Sequence, residues 1–210
     1  MTNGQPHTIA ENAPVTDPIR QDILHGAREL FIHFGFRKTT MEDIARKIGK
    51  SKSALYYYFK TKEEIFDAMA QEDMERQFQA ARENMQQEKT AQGRFRAFVV
   101  TMFQHLCERT EEFSVFRAEV IENPLLVLRL ARKNDATFEE ILRQLLAEGM
   151  QQGETRELSP GEIDIWAKAV NAALRGIGSR LFLGDDGGKL KQHLAFIADS
   201  LFAGIARIKT

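Results

Sequence analysis

The sequence predicts an all-α protein, with an N-terminal three-helix helix-turn-helix domain and a C-terminal helical-bundle domain. Apolar residues recur at helical spacing through every long segment. No stretch of useful length alternates apolar and polar residues as a strand does. Ser or Thr followed three residues later by an acidic residue marks several helix starts. We therefore expect a flexible arm over residues 1–16, a helix-turn-helix domain over 17–66 and a helical bundle over 67–210.

The charge of the chain is unevenly distributed, although the formal net charge is only −1. From Asp17 to Lys62 there are ten Lys and Arg against five Asp and Glu, whereas the rest of the chain is acidic. This asymmetry predicts a polyanion partner at one end of the molecule. Cys107 is the only cysteine, which excludes an internal disulfide; its apolar helix indicates a small core residue more than a redox-sensing thiol. Without a signal pattern or a long apolar run, we expect a cytoplasmic protein with no membrane partner.

The first helix is predicted to follow the arm, which contains no Lys or Arg and therefore gives no reason to expect a minor-groove contact. Asp17 suits the cap of this helix and Pro18 its first helical position. Gly35, just past the apolar stripe, can adopt the left-handed conformation that ends a helix.

Two further short helices follow closely. Thr40 is the expected cap of the second helix, with Asp43 three residues on, and Gly49 ends it. Ser51 caps a third helix almost at once, which predicts a helix-turn-helix over residues 40–59. In that motif the N-terminal residues of the second helix contact base edges in the major groove. The residues in this position are Ser51, Lys52, Ser53 and Ala54.

Three consecutive tyrosines lie in the third helix. Leu55 and Phe59 share one face and are predicted to pack inward, whereas Tyr56 and Tyr57 present their hydroxyls outward. Lysines lie on both sides of this stretch, and basic groups interleaved with phenols suit a phosphate backbone. The competing interpretation is an aromatic core helix with a solvated basic rim.

The residues Thr39–Met41, Asp43–Ala45 and Ile48–Glu64 resemble the N-terminal domain of the tetracycline-repressor (TetR) family, and the similarity covers roughly residues 18–66. The resemblance implies an all-α homodimer that binds double-stranded operator DNA through this domain and an effector through a variable C-terminal domain, without a cofactor. By position, Thr40, Tyr56, Tyr57 and Lys62 resemble phosphate-contacting residues, and Lys52 and Ser53 resemble base-contacting residues. Lys50 departs from the usual Val and is expected to add a phosphate contact, and Ser53 stands where Gly is common.

The bundle is predicted to contain six helices, including a long, Gln-rich connection from the N-terminal domain. A charged turn is expected at Glu108–Glu112. The predicted helices cover Glu64–Gln87, Phe95–Cys107, a short stretch from Phe113 to Ile121 stopped by Asn123 and Pro124, Pro124–Gly153, Ile163–Leu183 and Lys189–Ile208.

Large apolar side chains with a few polar ones among them predict an effector pocket in the bundle. Such a pocket suits an uncharged or mono-anionic hydrophobic molecule, although most of these side chains can equally be ordinary core. The candidate residues are Phe98, Met102, Phe103, Phe116, Arg117, Phe138, Trp166 and Asn171.

The last two helices are apolar around more than one face, which predicts a dimer interface made of four helices. Small residues on the first of them allow close approach of another helix. Internal packing within a monomer is the alternative. The candidate interface residues are Ala169, Ala173, Gly176, Leu194, Ile197 and Leu201.

The sequence contains no recognisable catalytic or metal-binding motif: the five histidines are scattered, and no phosphate-binding glycine pattern occurs. We therefore predict a non-enzymatic transcriptional regulator, with a repressor favoured, that a small hydrophobic molecule releases from its operator. The alternative is a helical ligand-binding protein or enzyme whose N-terminal module is only an interaction domain.

Overall fold

The computed structural model of the protein describes residues 17–112, 129, 132–183 and 187–207. Helices dominate these residues, which confirms the predicted all-α class. The predicted arm and the predicted short helix before Asn123 lie outside the described residues, as does the side chain of Cys107. The helices are α1 (Pro18–Phe34), α2 (Met41–Lys47), α3 (Lys52–Tyr58), α4 (Lys62–Gln86), α5 (Ala91–Glu112), α6 (Asp135–Gln151), α7 (Pro160–Leu183), α8 (Gly187–Gln192) and α9 (Leu194–Ala203).

Helix α1 has the two ends that its sequence predicts. The Asp17 carboxylate accepts a hydrogen bond from the backbone N–H of Ile19 at 2.9 Å, with Pro18 as the first helical residue. Gly35 has φ 85°, and its N–H donates to the carbonyl oxygen of Phe31 at 3.0 Å. Because a side chain is strained at such a φ value, a glycine at this position ends the helix without strain.

The turn between α2 and α3 is a tight, hydrogen-bonded one. Gly49 has φ 65°, its N–H donates to Arg46, and the N–H of Lys50 donates back to Ala45 at 3.0 Å. These are the two bonds that close the carbonyl end of a helix in a Schellman motif. One residue later, the Ser51 hydroxyl accepts from the N–H of Ala54 and starts α3. The predicted helix-turn-helix is therefore present.

One hydrophobic cluster holds α1, α2, α3 and the start of α4 together. Phe31, Ile44, Leu55 and Ile65 are fully buried in it. Burying one apolar side chain of this size contributes about 1.5–3 kcal/mol to the stability of the fold. The cluster extends along α4 to Met69, slightly beyond the predicted domain boundary at residue 66.

Helix α4 begins at Lys62, after the cap Thr61 and two residues before its predicted start at Glu64. The Thr61 hydroxyl accepts from the N–H of Glu64 at 3.1 Å, whereas the Glu64 carboxylate accepts from the N–H of Lys60 at 2.7 Å. The Glu64 carboxylate therefore also holds the backbone of Lys60, the residue before the cap.

Two ion pairs also join α4 to α1, in addition to the hydrophobic cluster that the two helices share. Arg20 pairs with Glu72 and Arg28 pairs with Asp73, each at 2.7 Å. The second pair is the more buried, with exposed side-chain fractions of 21% for the arginine and 11% for the aspartate, so water screens it less. Helices α1 and α4 are thus held together at several points along their contact.

Helix α5 is the centre of the C-terminal bundle, where it contacts α4, α6, α7, α8 and α9. Phe95, Phe98 and Val99 are fully buried in the bundle core. The prediction of a charged turn at Glu108–Glu112 is wrong, because α5 continues to Glu112. Charged side chains are compatible with a helix, and their composition alone does not end one.

Helix α7 starts with a capping box, in which the Ser159 N–H donates to Glu162 at 2.8 Å and the Glu162 N–H donates back to the Ser159 hydroxyl. The prediction of one continuous last helix over Lys189–Ile208 is wrong. Helices α8 and α9 are separated at His193, and α9 ends at Ala203.

An isolated antiparallel bridge joins Thr155, before α7, to Ala206, after α9. Its backbone bonds run from Arg156 to Ile205 at 3.0 Å and from Arg207 to Glu154 at 2.9 Å. Among the described residues no helix is long and apolar enough to cross a membrane. The same residues contain no group of three or more His, Cys, Asp or Glu side chains placed to hold a metal ion.

Candidate functional site

The exposed side of α3 carries most of the residues predicted to contact nucleic acid. Tyr57 has 79% of its surface exposed and Tyr56 has 36%, so both phenols reach solvent as predicted. The inward-facing Leu55 is fully buried and Phe59 nearly so. Helix α3 therefore presents a polar, aromatic and basic surface on top of an apolar core. Lys50, Ser51, Lys52 and Ser53 are exposed beside these tyrosines.

The third tyrosine connects α3 to the start of α1. Tyr58 donates a hydrogen bond to Asp17, which is the largest cause of a lowered pKa at Asp17 and a raised pKa at Tyr58. Its ring lies 5.2 Å from that of Tyr57 in an edge-to-face contact. Tyr58 thus restricts the position of Tyr57, a role that the sequence pattern did not reveal.

Lys52, the predicted base-contacting lysine, is paired within the protein. Its ammonium group forms an ion pair with the Glu42 carboxylate of α2 and lies 5.8 Å from the centre of the Tyr56 ring. The hydrogen bond between the two groups lowers the pKa of Glu42 and raises the pKa of Lys52. Both side chains remain about half exposed, so a ligand can reach either of them.

Thr40 uses its hydroxyl to start α2. The hydroxyl donates to the Asp43 carboxylate at 2.6 Å and accepts from the Asp43 N–H at 3.2 Å. The backbone N–H of Thr40 also donates to this carboxylate, at 3.1 Å. The threonine lies at the exposed N-terminus of α2, but its hydroxyl hydrogen is committed to Asp43.

Lys62 is bonded to the loop between α1 and α2. Its ammonium group donates to the carbonyl oxygens of Phe36 at 2.8 Å, Thr39 at 3.0 Å and Arg37 at 3.2 Å. It also lies 4.6 Å from the centre of the Phe36 ring. An ammonium group has three hydrogens to donate, and here all three have partners. Lys60, by contrast, bonds back to the carbonyl of Tyr56 at 2.8 Å.

Most of the predicted effector residues are packed in the core of the bundle. Phe98 is fully buried, and Met102, Phe103 and Asn171 are at most 7% exposed. The Phe138 ring packs 5.5 Å from Phe98. Phe116 and Arg117 lie outside the described residues.

The amide of Asn171 is part of a polar cluster between α6 and α7. It donates to the Asp135 carboxylate at 2.9 Å, and the other oxygen of that carboxylate accepts from Arg175 at 2.6 Å. Asn171 was predicted as a polar contact for an effector, whereas Asp135 and Arg175 were not. Asn171 and Arg175 lie 36 and 40 residues after Asp135 in the sequence, so no local pattern predicts their contacts with its carboxylate.

A groove of about 310 Å³ opens to the surface between α7 and α9. Trp166 and Ala169 line one side and Leu201 lines the other. The groove thus combines one predicted effector residue, Trp166, with two predicted interface residues. Trp166 also packs against Phe95 of the bundle core, with ring centres 5.8 Å apart.

The predicted dimer surface is partly exposed and partly internal. Ala169 and Gly176 are exposed, Ala173, Ile197 and Leu201 are partly exposed, and Leu194 is only 2% exposed. Leu194 therefore supports α9 from inside the protomer. Ile165 on α7 and Phe196 on α9, which the sequence pattern did not single out, are each 69% exposed.

Comparison with known proteins identifies similar regulators. The family model described as bacterial regulatory proteins, tetR family, matches residues 23–69. The HTH-type transcriptional repressor AcnR of Corynebacterium diphtheriae is 27% identical over 186 residues, which cover 87% of this chain and 90% of that protein. The HTH-type transcriptional regulator UidR of Escherichia coli K12 is 30% identical over 144 residues, covering 65% of this chain and 69% of UidR.

Solved structures show the same fold. The crystal structure of the transcriptional regulator FadR from Bacillus subtilis in complex with stearoyl-CoA matches with a TM-score of 0.67 and 20% identity, over 88% of this chain and 98% of FadR. The matched family model contains the helix-turn-helix, and the structural match extends over the bundle as well. The chain therefore belongs to the TetR family of bacterial transcriptional regulators, whose N-terminal helix-turn-helix binds DNA.

Proposed function

We propose that this regulator is a repressor that binds operator DNA as a homodimer and leaves it when a small hydrophobic molecule binds the C-terminal bundle. The observation that carries the proposal is the surface of α3, where Tyr56, Tyr57 and Lys52 are exposed above the buried Leu55. The repressors among its relatives support repression as opposed to activation of transcription.

The DNA contacts divide into two groups. Lys52, Ser51 and Ser53 lie at the N-terminal end of α3, the end that approaches base edges when such a helix enters the major groove. Tyr56, Tyr57 and Lys50 lie beside it, where hydroxyl and ammonium groups can donate to phosphate oxygens. The first group is proposed to read sequence and the second to set the position of α3 on the duplex.

Thr40 and Lys62 are assigned supporting roles at the same surface. Lys62 fixes the loop over residues 36–39, which leads directly into the N-terminus of α2. Thr40 stabilises the same terminus through Asp43. Both residues are therefore proposed to support DNA binding indirectly, by holding the backbone that positions α2 beneath α3.

The dimer is proposed to form through the exposed faces of α7 and α9. Ile165, Ala169 and Gly176 recur along one side of α7 at helical spacing, and Phe196 projects from α9. Two large apolar side chains at 69% exposure beside small residues form a surface on which a second copy can pack closely. A two-fold dimer also supplies the two recognition helices that a palindromic operator requires.

Effector binding is proposed to act on DNA through α4. This helix is paired to α1 by Arg20 and Arg28, as described above, and its first turns lie in the N-terminal core. On the other side, the Asp67 carboxylate of α4 accepts from Arg129 at 2.8 Å and from Lys133 at 2.7 Å. A ligand that displaces the segment before α6 therefore moves α4, and with it the spacing of the two α3 helices. That spacing must match about one DNA turn, roughly 34–36 Å.

The effector is proposed to be hydrophobic, with at most one negative charge. Phe98, Met102 and Phe103 are packed in the bundle core, where polar side chains are few. The stearoyl-CoA bound to FadR supports a hydrophobic ligand in a bundle of this fold.

In vitro selection from a random duplex pool tests the proposal directly. The full-length protein should enrich one palindromic sequence, and a library of acyl, aromatic and sugar compounds should then be screened for release of that duplex. Release by acyl or aromatic compounds alone supports the effector class. Failure to enrich any sequence contradicts operator binding, and release by sugars alone contradicts the effector class.

A further inference from the structure

The ion pair between Glu42 and Lys52 places a carboxylate on a surface that is otherwise suited to a polyanion. Helix α3 itself contains no acidic residue, and Glu42 reaches it from the first turn of α2. The neighbouring Asp43 is used for the cap of α2 and pairs with Arg46 at 3.3 Å. Glu42 takes no part in that cap, and 49% of its side chain is exposed. Its carboxylate is therefore available to a ligand that approaches α3.

Phosphate oxygens repel a carboxylate, so Glu42 opposes binding to a DNA backbone. The major-groove edge of a base pair is different, because cytosine N4 and adenine N6 carry hydrogens that a carboxylate accepts. A G·C pair presents the guanine acceptors O6 and N7 next to the cytosine N4 donor. Lys52 and Glu42 form the complementary arrangement, an ammonium donor beside a carboxylate acceptor.

We infer that Glu42 is a specificity-determining residue, which reads the cytosine of a G·C pair in the operator while Lys52 reads the guanine. On other DNA, Lys52 must leave Glu42 to contact a phosphate, and the carboxylate then lies unpaired beside the negative backbone. Glu42 thus weakens binding to random sequence more than binding to the operator, which is how a repulsive element raises discrimination. The inference rests on the proposed DNA binding by α3.

The test compares Glu42→Gln with a matched control, Glu29→Gln. Glu29 pairs with Lys47 at 2.5 Å between α1 and α2 and contacts His25 at 3.0 Å within α1, so the control also removes one charge and an exposed ion pair between helices of the same domain. Each variant is measured against the duplex selected by the wild-type protein and against the same duplex with its bases scrambled, over a range of salt concentrations. In vitro selection is then repeated with Glu29→Gln and with Glu42→Ala and Lys52→Ala, which remove the proposed acceptor and donor outright.

For Glu42→Gln, we expect tighter binding to the scrambled duplex, a salt slope steeper by about one unit because Lys52 becomes free to contact a phosphate, and discrimination reduced by about tenfold. Selection with Glu42→Ala and with Lys52→Ala should lose the same G·C position. Glu29→Gln should change the affinities for both duplexes by one common factor and keep that position.

Equal discrimination ratios in the Glu42→Gln and Glu29→Gln variants would overturn the inference while leaving operator binding intact. So would a sequence selected by Glu42→Ala that is identical to the wild-type one. If the wild-type protein enriches no sequence at all, operator binding itself is contradicted. The helix content of each variant, measured by circular dichroism, identifies a change that comes from unfolding.

Discussion

The ammonium nitrogen of Lys62 lies 2.8 Å from the carbonyl oxygen of Phe36, two helices earlier in the chain. With two further carbonyl contacts, it joins the start of α4 to the loop before α2. The family resemblance suggests a direct phosphate contact for this lysine, whereas the hydrogen-bond geometry favours a positioning role. The two roles predict different dependences of DNA binding on salt.

Lys62→Gln tests these roles. We expect weaker binding to all duplexes and a lower melting temperature, because the carbonyl oxygens over residues 36–39 lose their partner. The slope of affinity against salt should stay unchanged, since no phosphate contact is lost. Lys50→Gln is the matched control and should lower the slope by about one unit without changing the melting temperature. If Lys62→Gln lowers the salt slope by about one unit, Lys62 contacts a phosphate directly and the positioning role is wrong.

Ala169→Arg tests the dimer surface. Ala169 is exposed on α7 and lines the groove against α9, so a guanidinium group there should prevent a second copy from packing. We expect a folded monomer in sedimentation and a loss of operator affinity of at least about 100-fold, because simultaneous binding of two half-sites is lost. Gln144→Arg adds the same charge on the exposed side of α6 and should leave both measurements unchanged. A dimer of unchanged stability in Ala169→Arg would exclude this face.

Gly26→Ala tests the packing of α1 against α2. An added Cβ atom at Gly26 would lie 2.5 Å from the Ile48 side chain, so one of the two helices must shift. We expect a loss of unfolding free energy of about 1–3 kcal/mol, the usual cost of overpacking a core. Gly161→Ala, where the added atom meets nothing within 4 Å, should cause no loss. Equal stability of the two variants in denaturant titrations would contradict the close approach.

Asp43→Asn tests the charge at the start of α2. Hydrogen bonds from the Thr40 hydroxyl and backbone lower the pKa of Asp43, so the ionised carboxylate stabilises the folded state. That contribution is complete above the ordinary pKa of an aspartate and is lost as the pH falls through the lower pKa of the folded protein. The stability difference between wild type and Asp43→Asn should therefore be present at pH 7 and disappear in acid. A difference that is constant over this range would mean that the charge has no part in the cap.

The caps and turns of the N-terminal domain were predictable because each depends on neighbours in the sequence. Thr40, Gly49 and Ser51 act on residues within a few positions of themselves, and the apolar spacing around Leu55 is equally local. The resemblance to the TetR family then suggested which residues of this domain contact phosphates and which contact bases. How α2 and α3 meet was not predictable in the same way, because Glu42 and Lys52 pair only once the turn has formed.

The bundle was less predictable because its contacts join distant residues. The partners of Asp135 lie on the next helix, and the charged end of α5 gave a false turn. The break at His193 was missed since the apolar pattern runs through it without a proline or glycine. Small residues suggested α7 as a dimer surface, which stays a prediction, whereas only the fold reveals that Ile165 and Phe196 face outward.

The pairing of Thr155 with Ala206 means that the chain enters and leaves the segment containing α7, α8 and α9 at one place. A change in the number of residues between α7 and α9 can therefore be absorbed at the opposite end of the segment, while the junction stays fixed. In the proposed dimer, substitutions confined to the outer surface of this segment would alter which chains pair with one another and leave α3 and α5 as they are. The pairing preference would then change independently of the proposed contacts with DNA and with an effector.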